Sequence, residues 1–177
     1  AEPSQVVEPA TPPDQQAESS APAEITTASR FSTSDVPAYS GKAYTSVNGN
    51  VPYFSAAELA TQSFETYSDL DSLGRCGVTY ACIGKDLMPT EERGSIGMVK
   101  PTGWHTVRYD DLVDGKYLYN RCHLIGYQLT GENANTKNLI TGTRYLNIEG
   151  MLPFENMVAD YIQETNNHVL YLSLIHI

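Results

Sequence analysis

Six of the chain's ten prolines fall before residue 41, at Pro3, Pro9, Pro12, Pro13, Pro22 and Pro37, among Ala, Ser, Thr, Gln and Glu and almost no large apolar side chains. Such a segment buries too little surface to offset its ordering entropy, so residues 1–40 read as a disordered linker or stalk. Everything able to build a core is then expected in residues 41–177, enough for one compact domain. No run of about 18 apolar residues offers a membrane span. Ala1 in place of Met is read as the sign of a removed signal peptide or larger N-terminal piece.

The formal charge of -10 argues at first against a polyanionic partner. Residues 1–40 hold six acids and Arg30, a net of -5, which leaves fifteen acids and ten bases, also -5, for the domain. A few local cations are then expected to do the work of contacting phosphates, with weak binding overall. Cys76, Cys82 and Cys122 fit neither a disulfide-dense scaffold nor a paired zinc motif. One disulfide plus a free thiol and three buried thiols both stay open. A zinc site from these cysteines and His123 lacks the usual short ligand pairs.

Ser55 is a plausible N-cap for a helix near residues 55–66, and Gly77–Ile83 reads as a strand. Asp86–Gly103, rich in Pro, Gly and charge, reads as a loop, and Trp104–Tyr109 as a further strand. Asp114-Gly115 signals a turn into Lys116–Tyr119, a hairpin that delivers Arg121 and His123 at its far end. Gly142–Met151 reads as a helix on which Arg144 and Asn147, three apart, share a face. Pro153 suits the first turn of a second helix, whose Phe154, Val158, Tyr161 and Ile162 form an apolar stripe. That helix should stop near Asn166-Asn167, before a last strand over 168–172. The fold class expected is α+β, a central antiparallel sheet with flanking helices.

Tyr119–Gln128, followed by Asn138 and Thr143–Asn147, places a guanidinium, an imidazole and two carboxamides close together, the kit of a metal-assisted phosphodiesterase. Trp104 and His105 are assigned to core packing, and Asp110-Asp111 to a solvated turn. Each site residue also has a plain structural reading: a satisfied strand-end histidine for His123, a turn residue for Asn138, a helix N-terminal acid for Glu155 and a surface ion pair for Arg144.

Asn120-Arg121-Cys122-His123, Asn138, Asn147 and Glu155 resemble the Asp-Arg-Gly-His signature and downstream ligands of the DNA/RNA non-specific endonucleases, the ββα-metal or His-Me finger nucleases. The stretches Leu70–Cys76, Gly94–Gly97, Gly103–His105 and Gly150–Asn156 are similar to the secreted streptodornase-like branch of Gram-positive bacteria. The resemblance covers about residues 50–171, with Asn120 where the broad family has Asp and Cys122 where it has Gly. Leu172–Ile177 does not resemble the family, and a C-terminal truncation is expected there.

The resemblance implies a secreted or cell-surface, metal-dependent endonuclease that cuts DNA, with RNA left open, and leaves 5'-phosphate ends. His123 would be the general base, and Asn147 the main protein ligand of Mg2+, for which Mn2+ can substitute. Asn138 and Glu155 would orient the metal's waters or the Asn147 amide, and Arg121 and Arg144 would hold phosphate oxygens. No recognition helix is evident, so little sequence preference is expected, and no protein partner is implied for what should be a monomer. A catalytically silent nucleic-acid-binding or surface-interaction protein is the second class. A Cys/His hydrolase is a distant third, which thiol alkylation would inhibit.

Overall fold

The computed structural model describes residues 31–175. The linker expected over residues 1–40 therefore lies mostly outside the described residues, and so does His176. Antiparallel strands β1 (Phe64–Tyr67), β2 (Thr79–Ile83) and β5 (Val169–Ser173) form one sheet in the order β1-β2-β5. Strands β3 (Tyr119–His123) and β4 (Leu139–Thr143) form a second, two-stranded sheet, with Arg121 opposite Thr141 and His123 opposite Leu139. Between them comes the one-turn helix α1 (Tyr127–Thr130). After β4 a π-helical turn (Leu146–Met151) runs into α2 (Leu152–Thr165). The expected α+β class holds, but the sheet is two separate sheets rather than one.

All five residues of β2 are buried, because the strand is paired on both edges and covered on both faces. One core cluster unites Ala81 and Ile83 of β2 with Ile125, Leu129 of α1 and Ala159 and Ile162 of α2. Of the apolar stripe expected on α2, Val158 and Ile162 pack inward. Phe154 and Tyr161 remain 39% and 45% exposed, Phe154 meeting the Tyr44 ring at 4.9 Å. Pro153 sits in the first turn of α2, and Asn166 ends the helix in the left-handed conformation (φ 56°) as expected.

The helix expected near 55–66 is a single 3-10 turn, Ala56–Glu58. Its start signal is real, since the Glu58 carboxylate accepts from Ser55 N at 2.9 Å and Ser55 Oγ at 2.8 Å. The turn goes no further because Phe64–Tyr67 gains more by pairing with β2, where Phe64 and Phe54 both pack on the Tyr80 ring. The strand expected over 104–109 is likewise missing. Only an isolated bridge, Arg108 to Tyr117, survives of that hairpin, and β3 pairs instead with β4. The turn at Asp114-Gly115 is present, with Gly115 at φ 74°.

Buried Gly84 marks the end of the first sheet, where Ser63 Oγ donates to Asp86 Oδ1 at 2.6 Å and His168 Nε2 lies 3.1 Å from Ser63 Oγ. A Cβ there would come within 2.5 Å of Asp86 Oδ1 and His168 Nε2 and 2.6 Å of Ser63 Oγ. Gly84→Ala is expected to open this network and lower stability by about 1–3 kcal/mol. Urea unfolding measures it, and an unchanged midpoint would show that the three side chains yield freely.

Candidate active site

The ends of β3, the start of α1, the π-helical turn and the first turn of α2 converge on one cleft of about 260 Å³, lined among others by Arg93, Arg121, His123, Gly126, Asn147 and Glu155. The ββα arrangement is present, but its two strands are β3 and β4, followed by the π-helical turn and α2, and not the expected hairpin of residues 104–109 and 116–119. His123 is the last residue of β3 and is buried. Its Nε2 lies 2.8 Å from the backbone carbonyl of Asn133, which can only accept, so the Nε2 position carries the proton. The lone pair is thereby left on Nδ1, where Arg93 Nη2 stands 3.3 Å away. Burial pulls the His123 pKa below its ordinary 6.5; the Asn133 bond opposes this and the Arg93 charge adds to it. At neutral pH the ring is a fixed, uncharged proton acceptor.

Arg93 escaped the sequence reading, which saw only a charged loop. The loop is nevertheless anchored at several points by the ββα unit. Tyr127 Oη donates to the Glu91 carbonyl at 2.9 Å, Asn133 Nδ2 to the Ser95 carbonyl at 3.3 Å, and Arg121 Nη2 to the Gly97 carbonyl at 2.9 Å. Arg121 Nε also donates to the Val99 carbonyl, and its guanidinium lies 3.7 Å over the Trp104 ring. Arg121 is thus a clamp on the loop that carries Arg93, and Arg93 holds the place beside the imidazole. The sequence offered one signal: Arg93 immediately precedes the Gly94–Gly97 stretch.

Asn147 lines the cleft from the π-helical turn, half-buried, and its carboxamide makes no hydrogen bond among the described residues. Glu155, in the first turn of α2, faces the same cleft over Gly126, where a Cβ would come within 2.7 Å of the carboxyl group. Burial pushes the Glu155 pKa up to about 7, against the pull of Arg93. A carboxyl raised from its ordinary 4.5 favours the fold while protonated and withdraws that contribution as pH rises through about 7. In chelator, the protein should therefore lose up to ~3 kcal/mol of stability between pH 4.5 and 8, and Glu155→Gln should flatten the slope. Denaturant melts of both proteins across that range test the assignment, which parallel pH profiles would refute.

Two other expected site residues stand elsewhere. Arg144 does not line the cleft: it reaches over Gly115 to Asp114, Nη2 to Oδ2 3.4 Å. The cause is the winding of the segment. Gly142 and Thr143 belong to β4, and the turn after Tyr145 closes with i→i+5 bonds, so residues 144 and 147 do not share a face. Asn138 is 0% exposed, and its carboxamide spans the Ile125 backbone, accepting from N at 2.9 Å and donating to O at 3.0 Å. It pins the chain just after His123. Asn138→Ala should cost about 2–4 kcal/mol by stranding both backbone groups, read as a drop in thermal midpoint; a loss confined to activity would contradict it.

Trp104 is not in the core. It carries Arg121 and lines a groove beside the cleft, while His105 is exposed against the Tyr119 ring at 4.5 Å. All three cysteines are free thiols, and no cluster of three or more metal-binding His, Cys, Asp or Glu occurs among the described residues. Burial pushes the Cys122 thiol up to about 12, which removes it as a nucleophile at neutral pH. It fits where the family signature has glycine because Gly142, diagonally across on β4 and paired with Asn120, has no side chain: a Cβ there would lie 2.7 Å from Cys122 Sγ.

The model of the DNA/RNA non-specific endonuclease family matches residues 55–174, more than half of the chain. No curated protein matches it. Among solved structures it is similar to NucA from Streptococcus agalactiae with magnesium ion bound, at 20% identity and a TM-score of 0.55 over 65% of this chain and 58% of that one. It is also similar to the Sda1 nuclease with bound zinc ion, at 26% identity and a TM-score of 0.55 over 64% of this chain and 63% of that one. The chain thus spans about three fifths of the length of these nucleases. Its fold, and the family match across β1 to β5, agree with the sequence motifs: the chain belongs to the DNA/RNA non-specific endonuclease family.

Proposed function

We propose that the protein is a metal-dependent endonuclease that hydrolyses DNA phosphodiesters without sequence preference. The observation that carries this reading is His123, buried, uncharged and held by the Asn133 carbonyl so that Nδ1 faces Arg93 in the cleft. Nδ1 takes the proton from a water attacking phosphorus, and the charge that then forms on the ring is balanced through the Nε2 bond to Asn133. Arg93 presents its donors to the phosphate oxygens, which draws the guanidinium off Nδ1 and leaves that lone pair to the water.

The residues present fit a divalent cation. Asn147 offers a carboxamide oxygen with no partner among the described residues, and Glu155 a carboxyl whose ionised form an adjacent cation would favour. Oxygen donors suit Mg2+, with Mn2+ as a substitute, the remaining positions being water and phosphate oxygens. When bound, the ion supplies Lewis-acid stabilisation of the charge on phosphate and leaving oxygen. Asn147 would hold it directly, and Glu155 would orient its waters.

The test is plasmid DNA incubated with the protein in Mg2+ and in chelator. Metal-dependent degradation is expected; intact plasmid with a folded protein that still binds DNA would favour the silent binding module. Because the His123 pKa is depressed, the rate should hold at neutral pH and fall only as pH drops below about 6.5. An acid limb above 7 that persists in Glu155→Gln, which removes the other titrating group of the cleft, would exclude His123 as the base. An extracellular or cell-surface site of action goes with this reading and has the sequence resemblance as its support. No helix among the described residues is long and apolar enough to cross a membrane.

A further inference from the structure

Beside the cleft runs a second groove of about 410 Å³, and the two share Arg93, Arg121 and Asn147. Its walls are aromatic, Trp104, Tyr117 and Tyr119, with Asn120 and Thr106 between them. Tyr117 is 48% exposed, and neither its hydroxyl nor the Asn120 carboxamide makes a hydrogen bond among the described residues. The Trp104 ring is held in place by the Arg121 guanidinium, and the Tyr119 ring by His105. None of these three rings belongs to the core cluster or packs against it.

We propose that this groove is a base-stacking subsite: it takes the unstacked base of a nucleotide next to the phosphate in the cleft. The inference rests on the nuclease reading and names its substrate class, an unpaired strand. Flat rings beside a cationic track are what single-strand binding requires, since every base has a π face and stacking is indifferent to sequence. Asn120 strengthens the case. Its carboxamide can both donate to and accept from a base edge or sugar. A base still paired in a duplex cannot enter, so duplex must fray or unstack first, and single strands should be preferred.

The experiment uses the full 177-residue chain and two fluorescent probes, an oligothymidylate strand and the same backbone with abasic residues. Binding is read by anisotropy in chelator, which separates it from cleavage, and cleavage of both probes is then followed in Mg2+. Removing the bases should weaken binding to the native protein about 5- to 150-fold. Tyr117→Ala should bind both probes alike, and Tyr117→Phe should behave as the native protein. Tyr117→Leu keeps apolar bulk without a ring, so loss of base dependence in this variant, with an unchanged thermal melt, assigns the effect to stacking. A native protein blind to base removal, or Tyr117→Ala with full base dependence, overturns the subsite. If no probe is cut in Mg2+ the nuclease reading falls, while the binding comparison still decides this one.

Discussion

His123→Ala is expected to lower the cleavage rate about 10²–10⁴-fold at saturating Mg2+ while DNA binding persists, the range spanned by a positioned general base. The imidazole contributes little to substrate affinity, because Nε2 is spent on Asn133 and only Nδ1 faces the cleft. Its loss should therefore appear in kcat rather than KM. The substitution also strands the Asn133 carbonyl in a half-buried place, at a cost of about 1 kcal/mol, so the variant should remain folded and comparable. Single-turnover cleavage of a labelled strand measures the effect. A variant within tenfold of the native rate would remove His123 from the chemistry and leave Arg93 beside a structural histidine.

That His123, Asn147 and Glu155 line one cleft agrees with the family motif that singled them out. His123 ends a β-rich run, Asn147 follows a strand, and Glu155 sits two residues after Pro153 in the first turn of α2. The helix stop near Asn166 and the presence of a strand at β2 were legible from local signals, an Asn pair and a glycine-bounded β-rich run. What the sequence hid is tertiary. Arg93 belongs to an irregular loop whose position depends on Tyr127, Asn133 and Arg121, residues 28 or more positions away. Arg121 looked like a phosphate ligand, since nothing local reveals the Gly97 and Val99 carbonyls that claim it. The segment before β1 carried a genuine helix start at Ser55, and only the pairing of β1 with β2 shows why the helix ends after one turn. The π-helical winding that parts Arg144 from Asn147 also has no local signature, since Gly142–Met151 carries no residue that separates i→i+5 from i→i+4 bonding.

Asn147→Ala should abolish metal-dependent cleavage more selectively than any other change in the cleft. The described residues hold no cluster of three His, Cys, Asp or Glu able to bind a cation, so no neighbouring ligand set can take over. The half-saturating Mg2+ concentration is expected to rise, and the rate to fall at least about 10²-fold, beyond the ~10–100-fold typical of residues that support a ligand from behind. Asn147→Asp separates affinity from chemistry. The added charge should tighten Mg2+ while offsetting the cation's pull on the phosphate, giving half-saturation at lower Mg2+ with a slower plateau. His123→Ala, by contrast, should leave the Mg2+ dependence in place and lower only the plateau, because Nδ1 serves the proton and not the ion. Titrating Mg2+ against the cleavage rate of all three variants therefore assigns the two roles independently. Native half-saturation in Asn147→Ala would move the cation to Glu155 alone and make the unpartnered carboxamide a contact for the nucleic acid instead.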